Sequence, residues 1–237
     1  MGRCFSSPTI KNKKYGNYNQ NFTLYDLNWS YSRINDRNVK KLVKSINQCE
    51  LVTKFDLNLS FNQITAAGAI KLGESLGQQL KLLEFSLNLE KNQIGDDGAL
   101  KIGEGIAQCF NLTSFALNIV YNQISKYGIA NIGQAISLCK NLQRFVLNLD
   151  YNQIEDEGVS YLAKGISKCK FLKYFAMTLK NSNLSDESAQ KISKAIQELP
   201  TLRSFELNLK YNMIFNLKNH DKKYQKILRL VNYKLTA

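Results

Sequence analysis

Val52-Thr-Lys-Phe-Asp-Leu-Asn-Leu-Ser-Phe-Asn-Gln-Ile64 and Leu82-Leu-Glu-Phe-Ser-Leu-Asn-Leu-Glu-Lys-Asn-Gln-Ile94 are one pattern written twice, 30 residues apart. Working outward, the pattern returns without insertion from Leu112, Leu142, Leu172 and Leu202, and reaches back to Phe22, which makes seven units in a chain of 237 residues. A fixed period of this length is the signature of a stacked array, in which each unit buries its apolar face on its neighbours because it cannot do so alone.

Within a unit, Phe55, Leu57 and Leu59 alternate with polar residues, as in a strand with one buried face. Asn62 follows, repeated at Asn92, Asn122, Asn152 and Asn212, with Ser32 and Ser182 in its place in the first and sixth units. A buried carboxamide there can satisfy the backbone groups left unpaired where the strand turns away. Next come an apolar stack (Ile34, Ile64, Ile94, Ile124, Ile154, Leu184, Ile214) and a glycine in the four central turns (Gly68, Gly98, Gly128, Gly158). The period then changes to that of a helix, with pairs four apart such as Leu72 and Leu76, or Ile102 and Ile106, forming one apolar face. The expected fold is an α/β solenoid, a horseshoe of about seven 30-residue strand-turn-helix units with a parallel concave sheet and convex helices. Residues 1–21 read as a basic arm, 22–217 as the repeats and 218–237 as a basic capping helix, since Tyr224, Ile227, Leu228 and Val231 fall on one helical face.

L-x-L-x-x-N-x-[IL] at this spacing, followed by glycine and a helix ending in cysteine, resembles the ribonuclease-inhibitor-like class of leucine-rich repeats. The form F-x-L-N-L-x-x-N-Q-I, set in an Asn-, Lys- and Tyr-rich chain, is similar to repeats abundant in ciliates. The resemblance covers about nine-tenths of the chain and implies a protein-binding scaffold. It also brings in the Ran GTPase-activating proteins, whose repeat is similar but whose tail is acidic where this one is basic.

Composition narrows the function further. His220 is the only histidine, which removes His-based triads and two-histidine metal sites. No Walker loop, dinucleotide fingerprint or paired-Cys zinc spacing occurs, so no catalytic residue, cofactor, metal or small-molecule substrate is expected. Lys, Asn or Asp interrupts every apolar run well short of the ~18–20 residues that a spanning helix needs. With no apolar leader after Met1-Gly2-Arg3, a reducing, cytoplasmic setting is expected, with five free thiols. Cys49, Cys109, Cys139 and Cys169 share one register at the helix ends and read as small packing residues.

The concave face carries the site expectation. The residue between the two strand leucines should point outward, and it is Asn58, Asn88, Asn118 and Asn148 in the central units. The flanking columns vary between units, which is where specificity can be written. Ala116, Val120 and Val146 make one of their stretches apolar where a solvated strand would be polar. An aromatic column, Tyr31, Phe61, Tyr121, Tyr151 and Tyr211, runs beside them, interrupted by Lys91 and Asn181. Asn and Tyr suit a protein-binding surface, although both columns are also explicable as repeat consensus.

Charge is concentrated at the ends. The formal net charge is +13; residues 1–20 carry Arg3, Lys11, Lys13 and Lys14 and no acid, and residues 201–237 carry eight basic residues and two acids. Met1-Gly2-Arg3-Cys4-Phe5-Ser6 fits the loose pattern for myristoylation at Gly2, with Cys4 placed for palmitoylation, although Arg3 disfavours it. The expected function is a non-enzymatic interaction module, a scaffold or assembly subunit that binds other proteins through its concave face and basic ends. A ciliary or cytoskeletal setting follows from the ciliate resemblance. The alternatives are regulation of a small GTPase, or binding of anionic lipid or nucleic acid by the basic termini, nucleic acid being the least favoured partner; acylation would make the protein a peripheral membrane one.

Overall fold

The computed structural model describes residues 24–48, 52–215 and 232–236. Strands β1 (Leu24–Asn28), β2 (Lys54–Asn58), β3 (Glu84–Asn88), β4 (Ser114–Asn118), β5 (Arg144–Asn148), β6 (Tyr174–Thr178) and β7 (Ser204–Asn208) alternate with helices α1 (Asp36–Ile46), α2 (Ala66–Leu76), α3 (Gly95–Gln108), α4 (Lys126–Leu138), α5 (Glu155–Ile166) and α6 (Asp186–Gln197). An eighth strand, β8 (Asn232–Thr236), completes one parallel sheet in sequence order. The register advances by one unit per strand, so that Leu57 lies beside Leu87, Leu87 beside Leu117 and Leu117 beside Leu147. Parallel strands require a crossover between them, and here every described crossover from β1 to β7 contains a helix.

Identical residues therefore stack on themselves. Phe85, Phe115, Phe145 and Phe175 form a column of near-parallel rings with centroids 5.6–5.8 Å apart. Leucines at the two following inward positions and isoleucines after the turn are buried with them, each worth about 1.5–3 kcal/mol on removal from water.

The asparagine ladder holds the sheet to the turns. Asn152 is 4% exposed; its Nδ2 donates to the Ile119 (2.9 Å), Leu149 (3.0 Å) and Asp150 (3.3 Å) carbonyls, and its Oδ1 accepts from the Asn122 and Ile124 amides, each at 3.1 Å. Ser182, fully buried, takes the same place in its unit and donates to the Lys180 carbonyl at 3.2 Å.

Helices approach through glycine. A Cβ on Gly165 would sit 2.0 Å from the Gly133 carbonyl oxygen, and one on Gly105 2.2 Å from that of Gly73, so those contacts exist only because no side chain is present.

The units also alternate in a way the 30-residue pattern conceals. Thr65, Ser125 and Ser185 cap α2, α4 and α6 with their hydroxyls. Each hydroxyl donates to a carboxylate one unit back, Asp36, Asp96 or Asp156, at 2.5–2.7 Å. Helices α3 and α5 start one residue earlier in the repeat, have no side-chain cap, and place Gly95 and Glu155 at φ +56° and +59°.

One boundary changes. Residues 232–236, read from sequence as part of a capping helix, are β8, paired in parallel with β7. Tyr233 and Leu235 stand beside Phe205 and Leu207, so the terminal segment follows the period of the strand it covers and not that of a helix. Residues 218–231, which carry the remainder of the expected helix, lie outside the described residues, as does the arm 1–21.

Candidate interaction surface

Strand alternation decides which side chains the sheet offers. Phe115, Leu117, Phe145 and Leu147 point into the core, so Ala116, Asn118, Val146 and Asn148 face the other way, and all four are half-buried. Asn58 and Asn88 hold the same register and the same partial exposure. The outward asparagines brace the turn that follows: Asn58 Oδ1 accepts from the Ser60 amide at 3.1 Å, Asn88 Oδ1 from the Glu90 amide at 3.0 Å and Asn118 Oδ1 from the Val120 amide at 3.3 Å. The Asn148 Oδ1 instead accepts the Thr178 hydroxyl of the next unit. This column thus has a structural task, and the Nδ2 of Asn118 adds a bond to Glu90 at 3.3 Å.

Val120 departs from the outward expectation. It is 7% exposed, and Ser60 and Asp150 in the same column are buried too, at 3% and 6%. The strand ends at Asn118, and beyond it the simple alternation stops because Tyr121 adopts φ +53°. Ile119 and Val120 are consequently both buried. The Val120 carbonyl accepts the Lys91 amide at 2.8 Å and the Asn122 side chain at 3.0 Å, which pins it in the turn. Buried Asp150 is held by the next unit, accepting from the Lys180 amide at 2.8 Å and pairing with its ammonium at 3.3 Å.

The column is a continuous stack from Tyr31 to Tyr151. Every member, from Tyr31 to Tyr211, has a positive φ of 49–62°, the left-handed region that a non-glycine residue seldom occupies. That conformation swings the side chains along the rim. Tyr31 stacks on Phe61 (4.1 Å, 15°) and Tyr121 on Tyr151 (4.3 Å, 6°). Lys91, read from sequence as an interruption, lies between the pairs, its Nζ 4.9 Å from the Phe61 centroid and 5.3 Å from that of Tyr121. A cation over two rings keeps the ridge intact where an aromatic is missing. Desolvation within the stack, with the neighbouring Tyr151, pushes the Tyr121 phenol above its ordinary value. Tyr211 stands beyond Asn181 and is 73% exposed.

At the centre, Ala116, Val146 and Ala176 lie side by side in register, all half-buried. They are bordered on one side by the Arg144 guanidinium over the Tyr174 ring (4.1 Å), and the Tyr174 hydroxyl donates to Glu206 at 3.0 Å. On the other side stands the Tyr121–Tyr151 pair. The apolar residues are legible in the sequence, but Arg144 and Tyr174 are not: their column lies one step before the strand phenylalanines and has no consensus residue.

The cysteine register is a packing register. Cys109, Cys139 and Cys169 are free and buried; the Cys109 thiol points at the Leu76 and Gly105 carbonyls at 3.3 and 3.5 Å. Burial pushes Cys109 and Cys169 up to about 12 and Cys139 up to about 11, away from thiolate chemistry. Gly2, Cys4 and Cys49 lie outside the described residues. Among the described residues no cluster of metal-ligating side chains occurs, and no helix is long and apolar enough to cross a membrane.

Three segments of the chain, residues 56–73, 86–103 and 146–163, match the family model described as Leucine Rich repeat. Each runs from a strand through the asparagine and glycine into the helix. No curated protein sequence matches the chain. Among solved structures, leiomodin-1 actin-binding site 2 is similar at 13% identity and a TM-score of 0.45, over 59% of this chain and 78% of that one. The parallel sheet, the strand-turn-helix units and the three matched segments give this chain the fold of a leucine-rich-repeat solenoid.

Proposed function

We propose that the protein is a non-enzymatic interaction module, an assembly subunit that holds a protein partner against its concave sheet. The supporting observation is the strip Ala116, Val146 and Ala176: three adjacent, half-exposed apolar side chains on a sheet face whose outer strands carry Asp26, Asp56, Glu206 and Lys234 in the same column. Solvation alone favours polar residues there, whereas a partner surface rewards an apolar centre with a polar and aromatic border. Tyr121, Tyr151, Arg144 and Tyr174 supply residue types that dominate interface energetics. The outward asparagines, Asn58 to Asn148, and the distant Tyr211 extend the contact along the sheet.

The test compares proteins retained from native cells by the tagged chain and by a Val146→Glu, Tyr151→Ser variant. A stoichiometric companion of the wild type should be absent from the variant, with the far-UV circular dichroism of the two proteins superimposable. Equal recovery of that companion by both would exclude the concave centre as its binding site.

A further inference from the structure

We propose that a second surface, the edge formed by the helix-to-strand loops, docks on an anionic membrane. In-register parallel strands bring all these loops to one side of the sheet. Backbone bonds tie them into a rail: the Leu83 amide donates to the Thr53 carbonyl, Thr113 to Leu83, Gln143 to Thr113 and Lys173 to Gln143, each at 2.8 Å.

Charge divides the two edges of the solenoid. The described residues of segments 47–54, 77–84, 107–114, 137–144, 167–174 and 197–204 hold eight basic side chains and two acidic ones. On the opposite edge, segments 31–37, 61–67, 91–97, 121–127, 151–157 and 181–187 hold four basic and eight acidic. Lys81, Lys140, Lys168 and Arg203 are exposed, and no described carboxylate lies within ion-pair distance of them. Cations near helix C-termini complement the helix dipole, which by itself accounts for some lysine here.

It does not account for the apolar tips. Leu80, Leu83, Phe110, Leu138 and Phe171 are 43–58% exposed and all stand on this basic edge; among the described leucines and phenylalanines, Phe215 at 84% is the one that is exposed elsewhere. They stand on four successive helix-to-strand connections, interleaved with lysines, and form a comb and not a pocket. Separate apolar tips among cations fit a flat, fluid partner, in which each tip enters the interface while the lysines meet anionic headgroups.

The experiment is co-sedimentation of the full, unacylated chain with phosphatidylcholine vesicles with and without phosphatidylserine. Binding should require phosphatidylserine and weaken as salt is added. Lys140→Gln with Lys168→Gln should weaken it by roughly fivefold per cation removed. Phe110→Ser with Phe171→Ser should weaken it at every salt concentration, and circular dichroism should show both variants folded. The proposal is overturned if neutral vesicles bind as well, if neither vesicle binds while single-stranded RNA does, or if these edge variants bind like the wild type.

Discussion

Replacing Asn152 with leucine tests the device that holds sheet and turns together. The side chain keeps its heavy-atom count and branching but loses every hydrogen bond. The Asn122 and Ile124 amides, both of which use the Asn152 oxygen as acceptor, would be left in the interior without it. An orphaned buried donor costs about 1–3 kcal/mol, and the two or so bonds donated by the carboxamide nitrogen are worth about 1 kcal/mol each in net terms. Burying leucine in place of an amide offsets part of this, leaving a destabilisation of about 3–5 kcal/mol. The assay is urea denaturation followed by circular dichroism, where the midpoint should fall; in a thermal scan a loss of about 10 °C corresponds for a chain of this size. Asn152→Ser should cost less, because Ser182 occupies the same register and still bonds the Lys180 carbonyl. If the leucine variant unfolds at the wild-type midpoint, or serine proves the worse replacement, the ladder is not what stabilises the turns.

Two further outcomes follow from packing and charge. Gly165→Ala should destabilise by about 1–3 kcal/mol, because its Cβ meets a backbone carbonyl that cannot rotate away, whereas Gly95→Asn, with nothing within 4 Å and φ +56°, should leave the melting temperature nearly unchanged. Burial raises Asp156, but hydrogen bonds from Ser185 and Ser188 and the charge of Lys191 outweigh it, so its carboxyl lies below the usual carboxylate value. Its contribution is therefore full above the unfolded-state value near ~3.9 and is lost as pH falls through the lower folded value; Asp156→Asn should reduce stability at neutral pH and flatten this acid limb in pH-dependent denaturation.

How much of the site could be read beforehand depended on what kind of signal each residue leaves. The outward asparagines and the apolar pair Ala116 and Val146 were legible from period-2 alternation, which holds for as long as the strand lasts. Val120 lay beyond its end, where a left-handed residue breaks the alternation and buries two successive side chains. Arg144 and Tyr174 gave no repeat signal, and only the sheet register brings them into contact.

The sequence by itself determined the repeat: its length, the strand and helix in each unit, the buried faces, the asparagine ladder and the cysteine packing register. It could do so because identical residues stack on identical residues, so that a local pattern is also the tertiary one. The tertiary structure decided whatever depends on neighbouring units differing. Lys91 completes the aromatic ridge because it falls between two rings. Asp36, Asp96 and Asp156 impose a two-unit alternation on the helix starts, since each carboxylate reaches the cap of the next helix. Residues 232–236 form β8 because β7 would otherwise present an unpaired edge of backbone donors and acceptors, which parallel pairing satisfies. The opposed basic and acidic edges arise from charges far apart in the chain, which the stacking of parallel strands brings into line.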